Sequence, residues 1–137
     1  MISFNSETLF DLDDEEWISL WLSNCISDML HKEGRITYIF CDDEYLLEKN
    51  LKYLKHNTLT DIISFDYTLG NLISGDVFIS VERVLENSKI FNVSFKDELH
   101  RVMVHGILHF CGYTDKSFSD KALMRSKEDY YLSLRTF

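Results

Sequence analysis

The sequence predicts a single α+β domain, and three observations carry that expectation. Stretches with strand and helix character alternate as strand, helix, strand, helix, strand, strand and then helices, the order of a mixed-sheet domain. At 137 residues the chain can build one apolar core and has little room for two. Hydrophobic residues make up 45% and aromatic residues 14%, enough apolar bulk to offset the entropy of ordering, so the chain should fold. It contains no proline, repeat or low-complexity tract to mark a linker, and residues 1–137 are read as one domain.

The elements follow in order. ISFN, residues 2–5, suits a short first strand. The acidic run 11–16 suits the positive end of a helix dipole. Behind it Trp17, Leu20, Trp21, Asn24, Cys25, Asp28 and Met29 fall at helical spacing, and this helix is expected to end near Gly34. RITYIFC alternates and is rich in β-branched and aromatic residues, as a strand should be. DDEYLLEKNLKYL opens on acids and carries apolar residues behind them, which predicts a second helix over 42–54.

TDIISFDY and GDVFIS read as two strands. VERVLENSKIF suits a third helix. Ser94 stands as a cap before FKDELHRVMVHGILHFCGY, with Asp97 and Glu98 in the first turn and Gly112 placed to stop it. That helix turns apolar on most sides toward its end and should be central and buried. A last amphipathic helix over about 119–134 should pack Ala122, Leu123, Tyr130 and Leu134 inward.

Composition excludes several classes of function. The chain opens without a basic region or a long apolar run, and nowhere reaches the length needed to span a bilayer, so a cytoplasmic protein with no membrane role is expected. Cys25, Cys41 and Cys111 are an odd number without a CxxC pair, which favours reduced thiols over a disulfide framework. A net charge of −9 is the wrong sign for coating nucleic acid through bulk charge. Any RNA contact must use a local basic patch, and DNA is not expected as a partner.

The chemistry concentrates in HGILHFCGYTD. His105 and His109 lie four apart on a helix and project from one face, close enough to chelate one ion. Gly112 lets the chain turn back, which brings Asp115 within reach of the same ion. Spacing alone leaves two readings open: a three-ligand metal site with a free fourth position, or a pair of packed, hydrogen-bonded core histidines. The position after His105 is Gly106, where the HExxH peptidases carry their glutamate, and this disfavours a peptidase. His31, His56 and His100 are expected to face solvent or bond locally. Cys111, two residues past His109, should point elsewhere as a packed thiol.

HGILHFCGY followed by Asp115 resembles the HGxLHxxGYxH signature of the YbeY family of bacterial single-strand endoribonucleases, which mature ribosomal RNA and take part in ribosome quality control. TDIISFDY is similar to that family's TDVLSFP strand and GDVFIS to its GDIVIS strand, in the same order, and the likeness covers residues 35–128. It implies a mixed, mostly four-stranded sheet with surrounding helices and a central helix carrying the ligands of one zinc ion, here His105, His109 and Asp115. It also implies single-stranded RNA, ribosomal RNA or the ribosome as partner. Three positions depart from the pattern, the first being Asp115, where the signature ends in a histidine. Leu54 stands where the family's NxxYR segment has its arginine, and Leu59 where it has a proline.

Lys52, Lys55 or His56 could supply the missing cation from the same loop, although a lysine lacks the planar fork of an arginine. Thr60 and Asp61 have a plain reading as turn caps, Ser64 as a strand residue, and Gly75 and Asp76 as turn chemistry ahead of a strand. The resemblance instead implies that these segments converge on the metal. The leading expectation is metal-assisted cleavage of an RNA phosphodiester, with Lys52, Lys55 and His56 holding phosphates. The alternatives are a ribosome-associated binding protein with a structural metal, and a metal-dependent hydrolase of another substrate.

Overall fold

The computed structural model describes residues 1–55 and 59–137. A four-stranded sheet is built from β1 (Ile2–Ser6), β2 (Lys32–Cys41), β3 (Ile62–Asp66) and β4 (Leu72–Ser80), in the order β1-β2-β4-β3. β1 and β4 run parallel to β2, and the edge strand β3 runs antiparallel to β4. Five helices surround it: α1 (Glu15–Asp28), α2 (Asp43–Lys49), α3 (Val81–Ile90), α4 (Phe95–Phe110) and α5 (Phe118–Ser133). The expected α+β domain with a mixed four-stranded sheet is the observed fold.

Alternation along the strands separates two layers. Ile36, Tyr38 and Phe40 of β2 and Ile73, Val77 and Ile79 of β4 enter one large core with α1, α3, α4 and α5. Ile63 and Phe65 of β3 and Phe78 of β4 face the other way, against Leu46 and Tyr45 of α2. α4 is the central helix: Met103, Ile107 and Leu108 are fully buried, and each such side chain contributes about 1.5–3 kcal/mol by leaving water. The buried Tyr38 hydroxyl donates to the Met103 carbonyl at 2.8 Å, fixing the height of α4 over the sheet two residues before His105.

Several boundaries and faces differ from the expectation. α1 ends at Asp28, not near Gly34, because Leu30 takes a left-handed φ of 60°. The Leu30 and His31 N–H groups then bond back to the Ser27 and Ile26 carbonyls, a glycine-type helix stop made by a leucine. Gly34 lies instead inside β2 at a break in register, where a Cβ would meet the Ile73 carbonyl oxygen at 2.5 Å. The buried stripe of α1 is Ile18, Trp21, Leu22, Cys25 and Ile26, whereas Trp17 and Leu20 are exposed.

α5 likewise turns Met124, Glu128 and Tyr131 inward and leaves Ala122, Leu123, Tyr130 and Leu134 exposed. Gly75 and Asp76 are interior residues of β4, which starts at Leu72, so they are not turn residues. A Cβ on Gly75 would collide with the Phe65 carbonyl and the Phe110 ring. The second helix is shorter than expected: α2 gives way to one widened π turn over Asn50–Leu54, which ends at Lys55 with φ 57°. Such turns recur at functional sites. The three cysteines are free thiols, as expected. Among the described residues no helix is long and apolar enough to cross a membrane.

Candidate metal centre

The site is set by how α4 begins and ends. The Ser94 side chain accepts from the Asp97 N–H at 3.0 Å, satisfying an otherwise orphaned donor, and Asp97 and Glu98 sit in the first turn where the dipole favours them. At the other end Gly112, with φ 101°, allows its N–H to bond the His109 carbonyl and the Tyr113 N–H to bond the Leu108 carbonyl, both at 3.0 Å. This reversal returns the chain over the last turn of α4. Asp115 arrives beside both histidines.

His105 Nε2 and His109 Nε2 lie 3.4 and 3.6 Å from the same oxygen, Asp115 Oδ2. The two rings are nearly perpendicular, at 82°, with centroids 4.6 Å apart, and one ligand atom from each of the three residues lies within 4.8 Å of the others. Donors about 2.0–2.2 Å from a tetrahedral ion stand about 3.3–3.6 Å from one another. The two nitrogen-to-oxygen distances fit that spacing, and the donor set of two imidazoles and a carboxylate suits a divalent ion.

A fourth residue organises the site. Glu128, from the inward face of α5, accepts from His105 Nδ1 at 2.6 Å through one carboxylate oxygen and from Arg101 Nη1 at 3.0 Å through the other. Arg101 also holds Asp129 at 2.6 Å. With Nδ1 engaged as donor, the Nε2 lone pair of His105 is left to face Asp115, the arrangement by which carboxylates orient metal-binding histidines. Burial pushes His105 down, but the bond to Glu128 and the charges of Glu128, Asp115 and Asp61 outweigh it and raise its pKa above the ordinary histidine value. Burial and the neighbouring His105 hold His109 below that value.

The triad lies in a cleft of about 600 Å³ between α4, α5, the end of α3 and the edge strand β3. Asp61, Ser64 and Glu98 line it with the histidines. Burial lifts the carboxyl of Asp61 above the usual range against the pull of His105, and burial together with Asp61 does the same for Glu98. Asp61 is therefore a wall of the cleft as well as a strand-end residue whose carbonyl accepts from the Ser80 N–H.

The loop cations are placed differently. Lys52 and Lys55 are exposed and stand beside the cleft lining, to which their segment contributes Leu54. His56 lies outside the described residues. His31 bonds locally to the Met29 carbonyl. His100 is buried, against Trp21 and Phe137, with Arg135 at 2.7 Å. Cys111 is half-buried, and burial lifts its thiol to about 11.

Sequence reasoning missed Glu128, Arg101 and Arg125, all in the cleft lining. A signal for Glu128 was present. It stands between Met124 and Tyr131 at helical spacing, an acid inside an apolar stripe, and a charge is buried in such a place only with partners.

The comparisons with known proteins agree with one another. A family profile described as Endoribonuclease YbeY matches residues 2–135. A protein of Flavobacterium johnsoniae named Endoribonuclease YbeY is 62% identical over 134 residues, covering 98% of this chain and 96% of its own length. One of Christiangramia forsetii with the same name is 51% identical, covering 97% and 93%. A solution structure of a Thermotoga maritima protein superposes with a TM-score of 0.70 at 22% identity over 97% of this chain and 87% of that one, which supports the fold. On the match of the whole chain to the profile and to these relatives, the chain belongs to the Endoribonuclease YbeY family.

Proposed function

We propose that this chain cleaves single-stranded RNA with one zinc ion held by His105, His109 and Asp115, and that it acts in the cytoplasm on ribosomal RNA during maturation and quality control of the ribosome. The family supports the enzyme class: the chain is an endoribonuclease, a hydrolase of RNA phosphodiesters. The observation that carries the metal reading is the convergence of both imidazoles on one oxygen of Asp115, at 3.4 and 3.6 Å, inside an open cleft.

A divalent ion there would supply positive charge to a phosphoryl oxygen and lower the pKa of water toward neutrality. The rest belongs to the chain. Glu128 holds the His105 tautomer, and Arg101 holds Glu128. Asp61, whose carboxyl is lifted by burial, stands on the facing wall as a group suited to keep or return a proton. Lys52 and Lys55, exposed beside Leu54 at the rim, are assigned to the phosphates, each as a point charge, and His56, next in sequence, is assigned the same role.

The test is incubation of the untagged protein with single-stranded and duplex ribosomal RNA fragments, with and without a chelator, beside His109→Ala. Cutting confined to single strands, abolished by chelator and by the substitution, is expected. A protein that binds the RNA and leaves it intact in zinc would overturn the nuclease reading in favour of a binding protein with a structural metal.

A further inference from the structure

The cleft carries a strong acidic excess. Five carboxylates line it, Asp61, Asp66, Glu98, Asp115 and Glu128, against two guanidiniums, Arg101 and Arg125. The two arginines are in different states. Arg101 is only 19% exposed and is engaged by Glu128 and Asp129. Arg125 is 53% exposed, and its contact with Glu128 is a long one at 3.6 Å, to an acid whose oxygens Arg101 and His105 already engage at 3.0 and 2.6 Å. Among the described residues lining the cleft, Arg125 is thus the cation whose donors are open to a ligand.

Arg125 also sits over an aromatic ring. Its guanidinium carbon lies 5.8 Å from the ring centre of Phe91, and Phe91 is 51% exposed although it lines the cleft. Phe91 caps the end of α3, and Asn87 stands one turn earlier on the same helix face, lining the same wall. A half-exposed phenyl under a guanidinium, beside a side-chain amide, matches the chemistry that recognises one unpaired nucleotide. The base stacks on the aromatic or guanidinium face, the phosphate meets the N–H edge, and the amide reads a base edge.

We infer that Phe91, Arg125 and Asn87 form a nucleotide subsite at the α3–α5 end of the cleft, which holds one unpaired base and its phosphate beside the metal triad. This rests on the single-strand endoribonuclease reading and deepens it. A base can enter the Phe91–Arg125 stack only if it is not paired, so the subsite supplies a physical reason for single-strand preference. It also places an arginine on the cleft wall while Leu54 stands where the family's loop arginine is expected.

The test is fluorescence anisotropy of a labelled single-stranded 2′-O-methyl oligonucleotide in saturating zinc, with Phe91→Ala, Phe91→Trp, Arg125→Ala and Arg125→Lys. Phe91→Ala should weaken binding about fivefold or more, the scale of one lost base stack, and Phe91→Trp should restore it. Arg125→Ala should weaken binding and flatten the salt dependence by about 0.7 in the log–log slope, the loss of one phosphate contact on a single strand. Arg125→Lys should recover the slope. Zinc affinity and the unfolding midpoint should stay at the wild-type values in all four variants.

Two alanine variants that bind RNA as tightly as wild type would overturn the subsite and leave the nuclease reading standing. An Arg125→Ala protein that loses zinc together with RNA would overturn it too, since Arg125 would then act through Glu128. A wild-type protein that holds zinc and binds no single-stranded RNA would overturn the nuclease reading, and the subsite with it.

Discussion

Replacing Glu128 by glutamine isolates what its charge does, because the shape hardly changes. The carboxylate is a double acceptor, taking His105 Nδ1–H at 2.6 Å and Arg101 at 3.0 Å, with the side chain 7% exposed. An amide offers one oxygen and one NH2 group, so it satisfies one of these donors and confronts the other. With its oxygen on Arg101, the NH2 faces His105 Nδ1, which must give up its proton; the proton then sits on Nε2, the atom that faces Asp115. With its oxygen on His105, the NH2 faces the guanidinium.

The first arrangement blocks the ligand atom and the second leaves buried donors opposed. Loss of such an orienting carboxylate weakens metal binding about 10- to 100-fold, or about 1.4–2.7 kcal/mol. The unpaired donor costs the fold about 1–3 kcal/mol. For 137 residues that corresponds to a midpoint about 3–10 °C lower. Competition for zinc against a calibrated chelator near neutral pH measures the first quantity, and thermal unfolding of the metal-free protein measures the second. A Glu128→Gln protein that melts earlier but holds zinc as tightly as wild type would refute the orienting role and reduce Glu128 to a packing residue.

Three further outcomes are expected. Asp115→His should raise the preference for zinc over manganese in a metal competition, because an imidazole replaces an oxygen ligand that harder ions favour. Gly75→Ala should cost about 1–3 kcal/mol in urea unfolding, since the added methyl meets the backbone carbonyl of Phe65, held in β3, as well as the Phe110 ring. His100 supplies a pH dependence: burial, then the neighbouring Arg135 and Lys96, push it down to about 4, whereas the unfolded chain takes up that proton near 6.5. Between those values the unfolded state holds more protons, so up to about 3 kcal/mol of stability is lost as the pH falls from about 6.5 to 4. The difference between wild type and His100→Gln across that window reads this contribution.

The centre of the site was legible because its signals are local. Ser94, the acidic first turn, two histidines one turn apart and a glycine stop are all short-range features, and the structure brings His105, His109 and Asp115 together, one of the two arrangements the spacing left open. Helix faces were less legible. In α1, Trp17, Ile18, Leu20, Trp21 and Leu22 make the helix apolar around a wide arc, so periodicity alone admits two stripes, and packing on the sheet selects the one through Ile18 and Leu22. The end of α1 depends on a leucine in a left-handed conformation, a choice made by tertiary context that no propensity announces. Arg101 and Arg125 could not be placed because their roles arise where α4, α5 and α3 meet, across more than twenty residues of sequence.

The charge pattern ties these parts into one functional argument. A cleft with five carboxylates and two arginines, one of them fully engaged, repels a phosphate backbone in a chain that is already −9 overall. Two positive charges at the triad, offset by Asp115 alone among its three ligands, would reverse the local sign where the scissile phosphate must lie. RNA affinity and metal affinity are then linked, and by the same free energy in both directions: the ion strengthens RNA binding by the factor by which RNA strengthens the ion. Glu128 would serve both sides of that linkage: it accepts from His105 Nδ1, which leaves Nε2 to the proposed ion, and its bond from Arg101 leaves Arg125 with only a long contact to it. If the triad holds the proposed ion, substrate entry would depend on a loaded site, and protein stripped of metal by a chelator should neither cut single-stranded RNA nor hold it.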